Sequence, residues 1–278
     1  MSLPFCRFLI RSIVLVVFSS GPSALAVHPE LSVVEANRVV GLTFTAVNPN
    51  ADPFNTIDLD VTFTSPSAKV VRVPAFWAGG KTWRARHASP ELGVHSVTSY
   101  TARDEQGLHQ VTGKVEVVPY KGDNPLYRHG PLRAARDRRH FEHADGTPLF
   151  WLGDTWWMGL CERLKWPEEV RTLAEDRKTK GFTVIQIVAG LYRDMPAFDP
   201  RGRNESGFPW VENFSRIRPE YFDRADLRLT YLADQGLVPC VEMAWGYHLS
   251  RFPPPSAAHH PSGPPGGRRV GVPLPQGV

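Results

Sequence analysis

The hydrophobic periodicity of this chain changes once, between residues 120 and 131, and two periodicities demand two kinds of folding unit. Before the change the period is two. Ile57, Leu59, Val61 and Phe63 alternate with Asp58, Asp60, Thr62 and Thr64, which turns one side of a strand inward and the other to water. Further β-rich runs occur at residues 39–47, 69–76, 93–102 and 111–118, separated by Asn48-Pro49, Ser65-Pro66, Gly79-Gly80 and Gln106-Gly107. This spacing predicts a small antiparallel β-sandwich of immunoglobulin-like type over residues 27–120. His87, His95 and His109 are widely separated in sequence and read as strand or turn residues in water, so no metal site is expected among them.

Residues 121–131 carry Gly122, Pro125, Gly130 and Pro131 and read as a linker. Beyond them, Asp145-Gly146 is a turn dipeptide that predicts a hairpin, and from Phe150 strands and helices alternate. Trp166-Pro167-Glu168-Glu169 starts a helix, with proline in the first turn and acids at the positive end of the dipole. Val170, Leu173 and Ala174 share one of its sides, and Gly181 stops it. Residues 182–188 are mostly apolar, as a strand covered on both sides requires. A second helix starts near Pro219, presents Phe222, Ala225, Leu229, Leu232 and Ala233, and ends at Gly236. Residues 237–245 supply a third strand. The expected fold is multidomain β plus α/β: a β-sandwich followed, over residues 132–252, by the first three strands and two helices of a (β/α)8 TIM barrel.

The chemistry is expected near Leu-Phe-Trp-Leu-Gly-Asp-Thr-Trp-Trp-Met, residues 149–158. Its leading apolar residues read as a short buried strand with Asp154 emerging at the tip. Indole faces stack on the C–H faces of sugar rings, and a carboxylate accepts hydrogen bonds from sugar hydroxyls. Asp154, Trp156 and Trp157 are therefore candidate substrate contacts. The competing interpretation makes Asp154 a helix cap and at least one tryptophan core. Glu242 lies inside the third strand, where it contacts sugar or joins a buried ion pair; Trp245 and Tyr247 follow at the same rim. The long loop at residues 189–218 carries Asp194, Asp199, Asn204 and Trp210, and loops of that length in compact domains are usually functional. Asn204-Glu205-Ser206 and Asn213-Phe214-Ser215 match glycosylation sequons. No residue is assigned a proton-transfer role, and neither a cofactor nor a metal is implied.

The 278 residues, 42% hydrophobic and 22% charged, suffice for two domains. The net charge of +4 is spread among acids rather than gathered into a stripe, which argues against a nucleic-acid partner. Residues 1–26 read as a secretory signal peptide: Arg7 and Arg11, an apolar run at residues 13–18, then Ala24-Leu25-Ala26. Secretion or a periplasmic location follows, with no membrane attachment after cleavage. Cys161 and Cys240 then remain, either bridged or, as small hydrophobes, free. From Pro253 about half the residues are Pro or Gly, which predicts a disordered tail over residues 253–278.

Gly130-Pro131-Leu132-Arg133, His140-Phe141 and the run from Asp145 to Trp157 resemble the opening of the apiosidase-like glycoside hydrolases, glycoside hydrolase family 140 and its relatives. Asp176-Arg177, the run Gly181 to Gln186, Tyr221-Phe222-Asp223 and Gly236-Leu237-Val238-Pro239 continue the resemblance. The sandwich is similar to the β-domain that precedes such barrels, through Asp52-Pro53-Phe54, Thr62-Phe63 and Val73-Pro74-Ala75-Phe76. The resemblance implies a secreted hydrolase of plant or microbial polysaccharide, with an oligosaccharide or polysaccharide as partner and two barrel carboxylates for acid and base or nucleophile work. It places those carboxylates on later strands than the three seen here. A full barrel takes about 250 residues, so the text reads as C-terminally truncated and the chain as inactive. The alternative is a non-catalytic carbohydrate-binding or cell-surface interaction protein.

Overall fold

The computed structural model describes residues 25–26, 31–102, 105–192 and 195–243. Trp245, Tyr247, Asp194 and the Pro/Gly-rich tail lie outside them. The first half is built of strands: β1 (Leu25–Ala26), β2 (Leu31–Glu35), β3 (Val40–Thr45), β4 (Leu59–Thr64), β5 (Val70–Pro74), β6 (Phe76–Trp77), β7 (Thr82–His87), β8 (Gly93–Thr101) and β9 (Thr112–Val118), with one short helix, α1 (Pro53–Thr56). They form two sheets of order β1-β3-β7-β6 and β2-β9-β8-β4-β5. The period-two residues explain the packing. Leu42 and Phe44 of β3, Trp83 and Ala85 of β7, Leu59, Val61 and Phe63 of β4, Val97 of β8 and Val115 of β9 all point into one shared core between the sheets. Strand β7 escaped the sequence reading because Arg84 and Arg86 interrupt it, although Trp83 and Ala85 keep its alternation. Leu25 and Ala26, assigned above to the leader, pair in parallel with Leu42 and Thr43.

The expected linker contains helix α2 (Pro125–His129). Asn124 ties it to the second half: Oδ1 accepts from Leu126 N at 3.0 Å, and Nδ2 donates to Ala233 O at 2.7 Å and Asp234 O at 3.2 Å. A small antiparallel sheet follows, β10 (Leu132–Ala134), β11 (Phe141–His143) and β12 (Pro148–Leu149), with Asp145-Gly146 at the turn between the last two.

The rest alternates: β13 (Gly153–Trp156), α3 (Glu168–Thr179), β14 (Val184–Val188), α4 (Pro219–Asp234) and β15 (Val238–Glu242). The three strands pair in parallel, in the order β13-β14-β15. Both helices cover the same side of this sheet, since Val170 and Ala174 of α3 and Ala225 and Leu232 of α4 share a core with Ile185 and Ile187 of β14. Acids open α3 and basic residues close it, matching the dipole; Gly181 then takes φ +81°, a conformation that favours glycine.

Two local expectations change, and one open alternative is decided. Residues 149–152 are not a buried strand: Phe150 is 75% exposed, Leu149 ends the hairpin, and the parallel strand starts at Gly153. Asp154 therefore sits within a strand rather than beyond its tip. The buried stripe of α4 is Tyr221, Ala225, Arg228 and Leu232, with Phe222, Leu229 and Ala233 only half-buried. Finally, Cys161 and Cys240 are both free.

Candidate active site

Side chains alternate along a strand, so Asp154 and Trp156 share one side of β13 and Thr155 takes the other. The structure decides which side is which. Trp156 is buried beside Ile185, Ile187 and Ala174, so Asp154 also faces the helical layer. There its Oδ2 accepts from Trp156 Nε1 at 2.8 Å and from Arg177 Nε of α3 at 2.5 Å, while Oδ1 accepts from Thr155 N at 2.9 Å. Burial, the largest single influence, pulls the Asp154 pKa up. The hydrogen bonds from Arg177, Trp156 and Thr155, with the Arg177 charge, together outweigh it and leave the pKa below the ordinary carboxylate value. Asp154 thus anchors β13 to α3, and Arg177 adds a contact to Asp176 and lies over the Phe182 ring.

The opposite side of the sheet carries different chemistry. Glu242 of β15 accepts a hydrogen bond from Gln186 Nε2 of β14. Among the described residues this amide replaces the ion pair that the sequence suggested. Gln186 is in register with Thr155 on one side and Cys240 on the other.

Beside β13 and α3 lies an open cleft of about 1120 Å³, lined by Asp154, Trp156, Trp157, Arg177, Tyr192 and Met195 among others. Trp157 is 47% exposed and supplies apolar ring surface to it. Below the rim, Cys161 Sγ and Tyr192 Oη approach to 2.7 Å; burial pushes the Cys161 thiol up to about 11, so it is no nucleophile at neutral pH.

The long loop is tied down rather than loose. Asn204 is buried and its Nδ2 donates to Tyr221 O at 3.0 Å, so the first sequon is closed to a glycan in the folded chain. Arg228 of α4, fully buried, donates to Glu205 Oε1 at 2.6 Å and Oε2 at 3.3 Å. Phe198 sits against Phe208 and Phe214, and Trp210 against Phe214. Asp199 caps a 3-10 turn, Pro200–Gly202, and the side-chain and backbone hydrogen bonds from Arg201 hold its pKa down to about 2.

Sequence reasoning missed Arg177, Gln186 and Arg228 as organising residues. Arg228 left a signal: it stands three residues after Ala225 and four before Leu232, a charge inside an apolar stripe. Gln186 left the same kind of signal, a polar residue within the apolar run Val184–Val188. Among the described residues no group of three His, Cys, Asp or Glu side chains is placed to hold a metal ion.

Comparison with known proteins places this geometry. Residues 135–258 match the family described as "Apiosidase-like, catalytic domain", and residues 33–102 match one described as a domain of unknown function, DUF5060. No curated protein matches the sequence. A solved structure from Bacteroides vulgatus ATCC 8482, assigned as a glycoside hydrolase, is 20% identical with a TM-score of 0.60, over 80% of this chain and 43% of its own. This chain thus spans less than half of that relative's length, and the likeness speaks to fold alone. A second solved glycoside hydrolase is 27% identical over 47% of this chain and 29% of its own, with a TM-score of 0.38, too low to carry an argument. The resemblance first visible between Gly130 and Trp157 is thus matched by a family model: residues 135–258 are similar to the apiosidase-like catalytic domain.

Proposed function

We propose that this is a secreted or periplasmic carbohydrate-active protein, belonging to a machinery that hydrolyses plant or microbial polysaccharide. In this reading residues 1–26 are the leader, 27–120 an immunoglobulin-like sandwich, 121–131 the connection, 132–252 a TIM-barrel-type unit and 253–278 a tail. The substrate lies in the cleft beside β13, where Trp157 offers a stacking face; Glu242, Trp245 and Tyr247 are further candidate contacts on the ground of sequence. Asp154 and Trp156 border the cleft and shape it. The observation that carries the reading is the conjunction of a parallel strand-helix sheet with a cleft beside its first strand into which an exposed indole projects apolar surface. Release of reducing sugar from pectic and other plant glycans tests it; a chain that neither cleaves nor retains any of them on a glycan array overturns it.

One observation favours binding without cleavage. Both carboxylates that line the cleft are paired to arginine, Asp154 to Arg177 and Glu162 to Arg203, whereas a glycosidase needs one acid free to protonate and another free to attack or activate water. Glycan retention on the array without sugar release is the outcome that selects this second reading.

A further inference from the structure

We infer that the strand-built first half of the chain acts as a brace for α4: it supplies the cations that pair with the outer side of that helix and, with the connection that follows, the donors that close its C-terminal end.

The sequence of α4 does not satisfy its own outer side and end. Tyr221, Ala225, Arg228 and Leu232 form its buried stripe. At about 100° per residue, Asp223, Asp226 and Asp234 fall on the opposite side. Asp234 is the last residue of the helix, and no basic residue stands in that turn. An acid therefore sits at the negative end of the dipole, beside carbonyls that have no partner within the helix. The neighbouring α3 shows the favourable arrangement, with Arg177 and Lys178 in its last turn.

The groups that α4 lacks arrive from outside its own unit. Asn124 Nδ2 donates to Ala233 O at 2.7 Å and to Asp234 O at 3.2 Å. Asp234 Oδ1 accepts from Tyr127 Oη at 2.9 Å and lies 3.7 Å from Arg38 Nη2. Nearer the start of the helix, Arg84 Nη1 donates to Asp223 Oδ1 at 2.8 Å, and Arg86 holds both oxygens of Asp226. Both arginines point outward from β7, away from the core that takes Trp83 and Ala85. That outward side is covered rather than wet, because the hydroxyl of Thr43, in register with Arg84, is buried, and so is Arg84 Nε. A single surface ion pair adds little. Here Arg84 and Asp226 keep only 28% and 25% of their side-chain surface in water, and two pairs and a cap act on one helix.

The test uses the full chain and hydrogen exchange read by mass spectrometry, with peptides from α3 as the internal reference for peptides from α4. Arg84→Glu with Arg86→Glu sets new acids against Asp223 and Asp226. It is expected to speed exchange of α4 about tenfold relative to α3, through two lost pairs and the added repulsion. Asp223→Arg with Asp226→Arg is expected to do the same from the other side. Combining all four substitutions exchanges the charges and should return most of the protection, which a merely local disturbance at either site would not do. Wild-type exchange of α4 in both double variants overturns the inference. So does equal acceleration of α3 and α4, or a four-site combination no better protected than the double variants. Should a reversal variant not fold, the milder Arg84→Gln with Arg86→Gln decides: about threefold faster exchange of α4 relative to α3 supports the brace, and an unchanged ratio overturns it.

Discussion

Removing either partner of the Arg228–Glu205 pair should give very different results, although both deletions break the same contact. Arg228 is fully buried, whereas the Glu205 side chain is 35% exposed. In Glu205→Ala the guanidinium stays in the interior with only the carbonyls of Leu164 and Arg224, each 3.3–3.4 Å away, and its Nε has no partner. Stranding a buried charge costs about 3–5 kcal/mol, and the two surviving carbonyls place this case near the lower end, about 3 kcal/mol. In Arg228→Met the buried charge is gone, the volume is largely kept, and Glu205 returns to water; the change should fall within about 1 kcal/mol of zero. Urea unfolding followed by tryptophan fluorescence, with hydrogen exchange over residues 189–218, measures both. A loss in Arg228→Met equal to or larger than that in Glu205→Ala would refute the reasoning. The pair also carries a pH signature. Burial, the largest influence, raises the Glu205 pKa, but the hydrogen bond and charge of Arg228 outweigh it, so the folded value is depressed. Its contribution is therefore complete above the unfolded carboxylate value of about 4.3 and is lost as pH falls through the lower folded value. Arg228→Met should lack this acid-side dependence.

Substitutions at four further positions probe other parts of the structure. Asp154→Ala should destabilise by about 1–2 kcal/mol, measured by thermal unfolding, because it releases Arg177 and the Trp156 N–H from a partly exposed carboxylate; Trp157→Ala should weaken glycan retention more than Asp154→Ala does. Gly190 has φ +120°, and a Cβ there would lie 2.5 Å from the Trp210 ring, so Gly190→Ala must displace that ring at about 1–3 kcal/mol and shift the fluorescence spectrum. Asn124→Asp keeps the α2 cap but sets an acceptor-only carboxylate oxygen against the carbonyls of Ala233 and Asp234 at the negative end of α4, whereas Asn124→Ala loses the cap and the donation without that repulsion; in chemical denaturation Asn124→Ala should be less stable than the wild type by about 1 kcal/mol.

Much of the local structure was legible because periodicity is a local property. The alternation at residues 57–64 became β4, the acid-rich start at Pro167 became α3, and Pro219 and Gly236 bracket α4. Failures came where apolar residues had a use other than the sheet. The run at residues 149–152 reads as a strand, yet Trp151 spends its ring on Phe141 of the hairpin, at 4.7 Å between centroids. Arg84 and Arg86 disguised β7 because they serve a contact far away in sequence: they pair with Asp223 and Asp226 on the outer side of α4. Such exposed pairs add little stability each, but they set how the sandwich meets α4.

The sequence by itself determined that Asp154 and Trp156 share one side of their strand, that Thr155 takes the other, and that a family resemblance begins at Gly130. Only the tertiary structure decided which side the helices cover, and hence that Asp154 is held by Arg177 while Glu242 faces away with Gln186. The physical reason is that alternation is fixed by backbone geometry within a single strand. The choice of covered side depends on where helices elsewhere in the sequence find apolar surface to bury, as Ala174, Ala225 and Leu232 do against Ile185 and Ile187.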